Sequence, residues 1–300
     1  MLSFSKLFCL LFLCGLLTLT SCKKDNSLTK ATDVDALSVL DAVAGDASAA
    51  VQFDDVFNIT MGVQASDAGE ELGIGTAAGV IYKPASPVGT SSPDTVSRCF
   101  TVSAVPKIAH QFPKVVSVDF GAGCQGKDGK IRKGKIVTVY TGPMFISGST
   151  ASVSFVDYYV DSFKIEGTER IENTSSSNTR GWTVKIVNGK ITNSQNGRWY
   201  QWDAVKEHKQ TEGNGTPWYL ADDVFEITGN ATGSDSNNNS WTSLVTEPLT
   251  KKFSCAWIAK GKVQITRNSN NNTAILDYGN GTCDDKATIK YKEIIYNISL

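Results

Sequence analysis

Hydrolysis of a glycosidic bond needs two carboxyl groups facing each other across a cleft, roughly 5 to 9.5 Å apart depending on mechanism. Asp157, Asp161, Glu166 and Asp223 are the candidates by residue type. Asp161 and Asp223 open two matching segments, Asp161-Ser-Phe163-Lys-Ile165-Glu-Gly167 and Asp223-Val-Phe225-Glu-Ile227-Thr-Gly229. A carboxylate at a strand start more commonly satisfies nearby backbone N–H groups than performs chemistry, and that is the expectation for both. Asp235-Ser-Asn237-Asn-Asn239 alternates oxygen ligands like the opening of an EF-hand loop. Ser240 stands where such a loop needs glycine, and Thr246 where it needs the closing glutamate, so a hairpin tip is expected rather than a metal site. His110 and His208 have no His or Cys three or four residues away, which excludes zinc sites of the usual spacing. No serine-centred G-x-S-x-G, HExxH or P-loop is present, and no cofactor is expected.

The strongest binding feature is aromatic. Trp199-Tyr200-Gln201-Trp202, with Trp218-Tyr219 downstream, could stack sugar rings while Asn, Asp and Gln engage hydroxyl groups. Alternate residues of a strand face opposite sides, so residues 199 and 201 share one face and 200 and 202 the other. At least one of Trp199 and Trp202 is therefore expected in the core, which sets core packing against a platform of Trp199, Trp202 and Trp218.

The N-terminus bears on where such chemistry would occur. Lys6 precedes an apolar run from Leu7 to Leu17, too short for the roughly 20 residues of a membrane-spanning helix, and the pattern fits a cleaved signal peptide over residues 1–21. The run ends in Leu19-Thr20-Ser21-Cys22, which resembles the lipobox of bacterial lipoproteins. That resemblance implies acylation of Cys22 and export to the cell envelope, anchored to a membrane by lipid. Lys23-Lys24-Asp25 is similar to the start of lipoproteins from Bacteroidota and implies an outer-membrane location, facing the periplasm or the surface. Asp94-Thr95-Val96 resembles the three-residue O-glycosylation signal of exported proteins in that group, which makes Thr95 a candidate modification site.

Composition narrows the partners. With 29 basic and 30 acidic residues there is no net field to attract a phosphate backbone, so nucleic acid is not an expected partner.

Three segments must carry these residues. Residues 22–33 are polar and read as a lipidated tether. Residues 34–66 form a helical segment in which Ala50, Phe53, Phe57 and Met61 recur at spacings of three and four, predicting an amphipathic helix broken at Gly45. From residue 77 to residue 300 the texture is β, with Val, Ile, Thr, Tyr and Trp in alternation between Gly, Asn, Ser and Asp clusters. Asn188-Gly189 after Trp182–Ile186 predicts a hairpin turn. The fold class is mainly β: an antiparallel, hairpin-rich sandwich or curled sheet with pseudo-repeated halves, plus the N-terminal helix.

Two echoes support the pseudo-repeat. Val118-Asp119-Phe120-Gly121-Ala122-Gly123-Cys124 matches Leu276-Asp277-Tyr278-Gly279-Asn280-Gly281-Thr282-Cys283, and the Asp161 and Asp223 segments are each followed by a Ser/Asn-rich stretch and Trp-Thr. Of seven cysteines, Cys9 and Cys14 leave with the signal and Cys22 is acylated. Equivalent positions should have equivalent partners, which predicts Cys99–Cys124 and Cys255–Cys283 disulfides in an oxidising compartment. The lipobox, the acidic helix and the Asp-aromatic-Gly hairpins together look like a group of lipoproteins from Bacteroidota whose motifs are tied to no known activity. The expected function is a non-enzymatic envelope lipoprotein that binds a ligand such as a glycan, contacts an envelope protein, or is structural; the alternative is a glycan-acting hydrolase.

Overall fold

The computed structural model describes residues 34–62 and 99–300, except 109, 127, 178 and 217–219. Cys22, Thr95 and Trp218, with the signal and tether, lie outside the described residues. Among the described residues one α-helix, α1 (Val34–Met61), precedes fourteen strands, of which the first seven are β1 (Thr101–Val105), β2 (Lys114–Asp119), β3 (Cys124–Gln125), β4 (Ile131–Tyr140), β5 (Thr150–Val160), β6 (Phe163–Asn173) and β7 (Gly181–Asn193). The second half comprises β8 (Trp199–Glu212), β9 (Val224–Asp235), β10 (Ser240–Lys252), β11 (Ile258–Arg267), β12 (Thr273–Asn280), β13 (Lys286–Tyr291) and β14 (Ile294–Ser299).

All pairings are antiparallel and follow chain order, with β3 as a side pairing on β4, so the sheet is one long meander with β1 and β14 as its open edges. It curls about α1, which packs against every strand from β5 to β13. Strand β8 shows why the sequence does this. Tyr200, Trp202, Ala204, Lys206, His208 and Gln210 point inward, while the residues between them face out.

The helix departs from expectation in two ways. Burial runs round it rather than along one stripe: Val51, Gln52 and Phe53 and every residue from Asp55 to Met61 are buried. A helix enclosed on several sides has no solvent face to keep polar. It is also unbroken at Gly45, because Gly45 serves contact rather than termination: a Cβ there would lie 2.6 Å from Tyr200 Cδ1 and 2.9 Å from Trp241 Cη2. Helix and sheet share a single apolar core.

A line of irregularities crosses the sheet. Gly134, Asp157, Gly167, Asn188, Gly229, Gly261 and Gly279 all have positive φ, and the strand register shifts beside most of them. Such bulges bend a strand and increase its twist, which lets a wide sheet wrap an object as thick as a helix. The predicted Asn188-Gly189 turn is one of these bulges. It lies inside β7, with the Asn188 N–H donating to Asp203 Oδ1 at 2.6 Å. The positive φ that suits Asn in a hairpin turn suits it equally in a bulge.

Both predicted disulfides are present, with Cα separations of 5.3 Å for Cys99–Cys124 and 5.9 Å for Cys255–Cys283. The echoes that suggested them have matching structure: Gly121 N–H donates to Asp119 Oδ1, and Gly279 N–H to Asp277 Oδ1, each at 2.9 Å. The other echo pairs the β6–β7 hairpin with β9–β10, placing Trp182 and Trp241 in the core.

Candidate functional site

The carboxylates considered for catalysis each have a local partner or place in the structure. Asp161 occupies the β5–β6 turn, where its Oδ1 accepts the Ile131 N–H at 2.8 Å. Glu166 pairs with Lys164 at 3.0 Å, and exposed Asp157 sits at the bulge opposite Gly134. Asp223 is buried and accepts from Gln210 Nε2 at 2.7 Å. Asp157 and Glu166 both lie near the Lys164 ammonium, whose charge they favour. Asp235 is a hairpin tip: its Oδ1 accepts the N–H groups of Asn237 and Asn239 at 2.8 and 2.9 Å. Among the described residues no three His, Cys, Asp or Glu side chains cluster as a metal site would require.

The aromatic platform fails at Trp202. Its ring is buried, stacks on Phe53 and donates Nε1–H to Asp46 at 2.9 Å, so it belongs to the core. Trp199 lies on the opposite face, half-buried, with Lys190 Nζ 5.2 Å from its ring centre.

Beneath the helix runs a buried polar seam that sequence reasoning missed. Asp46 Oδ1 accepts from Trp202 Nε1, from Trp241 Nε1 at 3.2 Å and from Ser243 Oγ at 2.8 Å. Asp54 pairs with Lys251 at 2.5 Å, and Asp55 with Arg132, which also binds Asp128. Burial opposes the charge on Asp55, yet Lys130 and Arg132 hold its carboxyl below the usual range. Burial lowers the Lys206 ammonium and takes the His208 imidazole down to about 4. Burial, then the Asp54 charge, raises the Glu169 carboxyl well above its ordinary value. A cavity of about 50 Å³ between helix and sheet, lined partly by Asp46, Lys206 and His208, has room for a few water molecules and no more. The seam fixes the helix in the sheet; it does not present a reactive group to solvent.

The better site lies at one end of the curled sheet, a groove of about 470 Å³. Its walls come from the β4–β5 connection, the β6–β7 turn and the loop after β8: Phe145; Ser175, Ser176, Ser177, Thr179 and Arg180; and Asn214. The Ser-rich stretch that follows the Asp161 segment supplies much of this lining. Its floor is held by buried donors, since Asn173 Nδ2 at 2.7 Å and Trp182 Nε1 at 3.3 Å both donate to the Met144 carbonyl. The turn is locked by Ser175 N–H to Asn173 Oδ1 at 2.8 Å, Ser147 Oγ–H to the Ser175 carbonyl at 2.8 Å and a Ser176–Thr179 bridge. Ser176, Ser177 and Asn214 face solvent, and the Phe145 ring is 38% exposed. The result is a rigid pocket with hydroxyl and amide groups, one guanidinium and an accessible ring. Among the described residues that line it, none is a carboxylate.

In comparisons with known proteins, no family model matches the chain, and neither a curated protein nor a solved structure matches it.

Proposed function

We propose that this chain is an exported lipoprotein, anchored through acylated Cys22 to the outer membrane of a bacterial envelope, that binds a glycan without modifying it. The observation that carries the binding half is the groove above, where hydroxyl and amide side chains and the exposed Phe145 ring sit on a floor fixed by buried hydrogen bonds. Sugars present alternating hydroxyl groups and apolar ring faces, and a preorganised wall of Ser, Thr and Asn beside an aromatic ring complements both. The lipobox supports the anchor. The two disulfides support an oxidising compartment.

Two measurements test this reading. Fatty-acid labelling and membrane fractionation of Cys22→Ala should both fail to show the anchored form; a variant that still labels and sediments with membranes removes the lipoprotein assignment. A glycan array probed with the purified protein should give hits that weaken at least tenfold in Phe145→Ala and Asn214→Ala while the folded signal is retained. Hits unaffected by both substitutions would place glycan binding elsewhere.

A further inference from the structure

We infer that the groove selects an acidic saccharide, one bearing carboxylate or sulfate groups, with Arg180 as the side chain that reads the charge; this rests on the glycan reading above. Arg180 is the one ionisable side chain among the described residues that line the groove, and it stands between the Ser176–Thr179 turn and the start of β7. The other polar lining groups are neutral. No carboxylate lies within ion-pair distance of Arg180 in the described residues. The acid whose field it feels, Asp223, is buried and engaged by Gln210 Nε2 at 2.7 Å. Burial and then the neighbouring Asp222 push the Asp223 carboxyl up to about 7, so its own charge is only partly developed near neutral pH.

A half-buried guanidinium with no ion-paired carboxylate among the described residues gives a positive site in a groove whose other described polar groups are neutral. Its planar fork offers two parallel N–H donors, the geometry that binds carboxylate or sulfate oxygens in pairs. Neutral Ser, Thr and Asn would then hold the sugar while Arg180 discriminates by charge. A neutral sugar would leave the guanidinium to water, and an acidic one would replace that water with a charge-assisted pair.

The test uses the full chain in detergent and three probes: a hexamer of galacturonic acid, a neutral galactose hexamer and its sulfated counterpart. At least one acidic probe should bind tenfold or more tightly than the neutral one, and the two acidic arms show which group is preferred. Arg180→Gln should abolish the preference, so that acidic and neutral probes bind the variant with the same affinity. Arg180→Lys should keep part of the preference, because it retains the charge but loses the fork. Far-ultraviolet circular dichroism of each variant establishes that it is folded. Equal binding of neutral and acidic probes, or a preference that survives in Arg180→Gln, overturns charge selection and leaves the glycan site standing. Failure of all three probes to bind overturns the glycan reading and this inference together.

Discussion

Asp46 accepts the indole N–H of Trp202 at 2.9 Å, tying the helix to a strand 156 residues away in sequence. Trp241 and Ser243 donate to the same oxygen. Asp46→Ala would leave two indole donors and a hydroxyl buried without their acceptor. The expected loss is about 3 kcal/mol or more, at about 1–3 kcal/mol for each buried donor left unsatisfied. Trp202→Ala should cost about as much through the cavity it creates. Urea denaturation of each variant gives the numbers, and a loss under about 1 kcal/mol for Trp202→Ala would mean that the ring is not in the core.

Replacing a mid-helix glycine by alanine ordinarily stabilises a helix by about 0.5–1 kcal/mol. Gly45→Ala should do the opposite, because the added methyl would lie 2.6 Å from Tyr200 Cδ1 and 2.8 Å from its Cε1. Displacing a packed ring costs about 1–3 kcal/mol, so the melting temperature should fall. A rise in melting temperature would show that the helix does not approach β8 as closely as described.

The disulfides span 25 and 28 residues, which in the chain-entropy account corresponds to roughly 3 to 4 kcal/mol each. Cys255→Ser together with Cys283→Ser should lower stability by about that amount. Non-reducing peptide mapping should recover Cys99–Cys124 and Cys255–Cys283 as the linked pairs.

Three buried groups make stability depend on pH in opposite senses. Asp223, raised to about 7, and Glu169, raised well above its ordinary value, hold protons in the folded chain that the unfolded chain releases; their contribution is complete below about pH 4 and is lost as pH rises toward their folded values. His208, lowered to about 4, is neutral when folded and charged when unfolded; its contribution is present above about pH 6.5 and is lost as pH falls toward 4. Between pH 5 and 6 two protons therefore oppose one, and unfolding free energy should fall with pH by about 1.4 kcal/mol per unit from these groups. Asp223→Asn should flatten the slope, and adding Glu169→Gln should reverse it. Denaturant titrations at several pH values read the sign directly, and an unchanged slope in the double variant refutes the assignment.

What the sequence disclosed was whatever depended on local pattern. Alternation in β8 reported the strand and limited the two tryptophans to opposite faces, but not which face was inward, since Lys206 and His208 accompany Trp202 on the buried side. The cysteine pairing was legible because equivalent turns precede Cys124 and Cys283. Asn188-Gly189 misled because positive φ serves turn and bulge alike. Gly45 misled because a helix breaker and a contact glycine are the same letter, and only the position of Tyr200, 155 residues downstream, distinguishes them. The groove was hidden for the same reason. Phe145, Arg180 and Asn214 come from three separate connections, and nothing local says that those connections meet.

The meander carries a consequence for how the chain acquires its shape. Each strand finds its partner in the hairpin just completed, so the sheet can assemble by short loop closures in the order in which the chain emerges. The helix precedes the strands in sequence, and although Arg132 and Tyr140 on β4 already reach Asp55 and Thr60, its packing against β5 through β13 is complete only after Tyr291. Its apolar residues therefore wait for burial, and a chain stalled before β8 would lack Trp202, His208 and Phe225, which are ring neighbours of Phe53 and Phe57. Any helper that guards this protein during synthesis has its natural target there, at the segment that is made early and sheltered late.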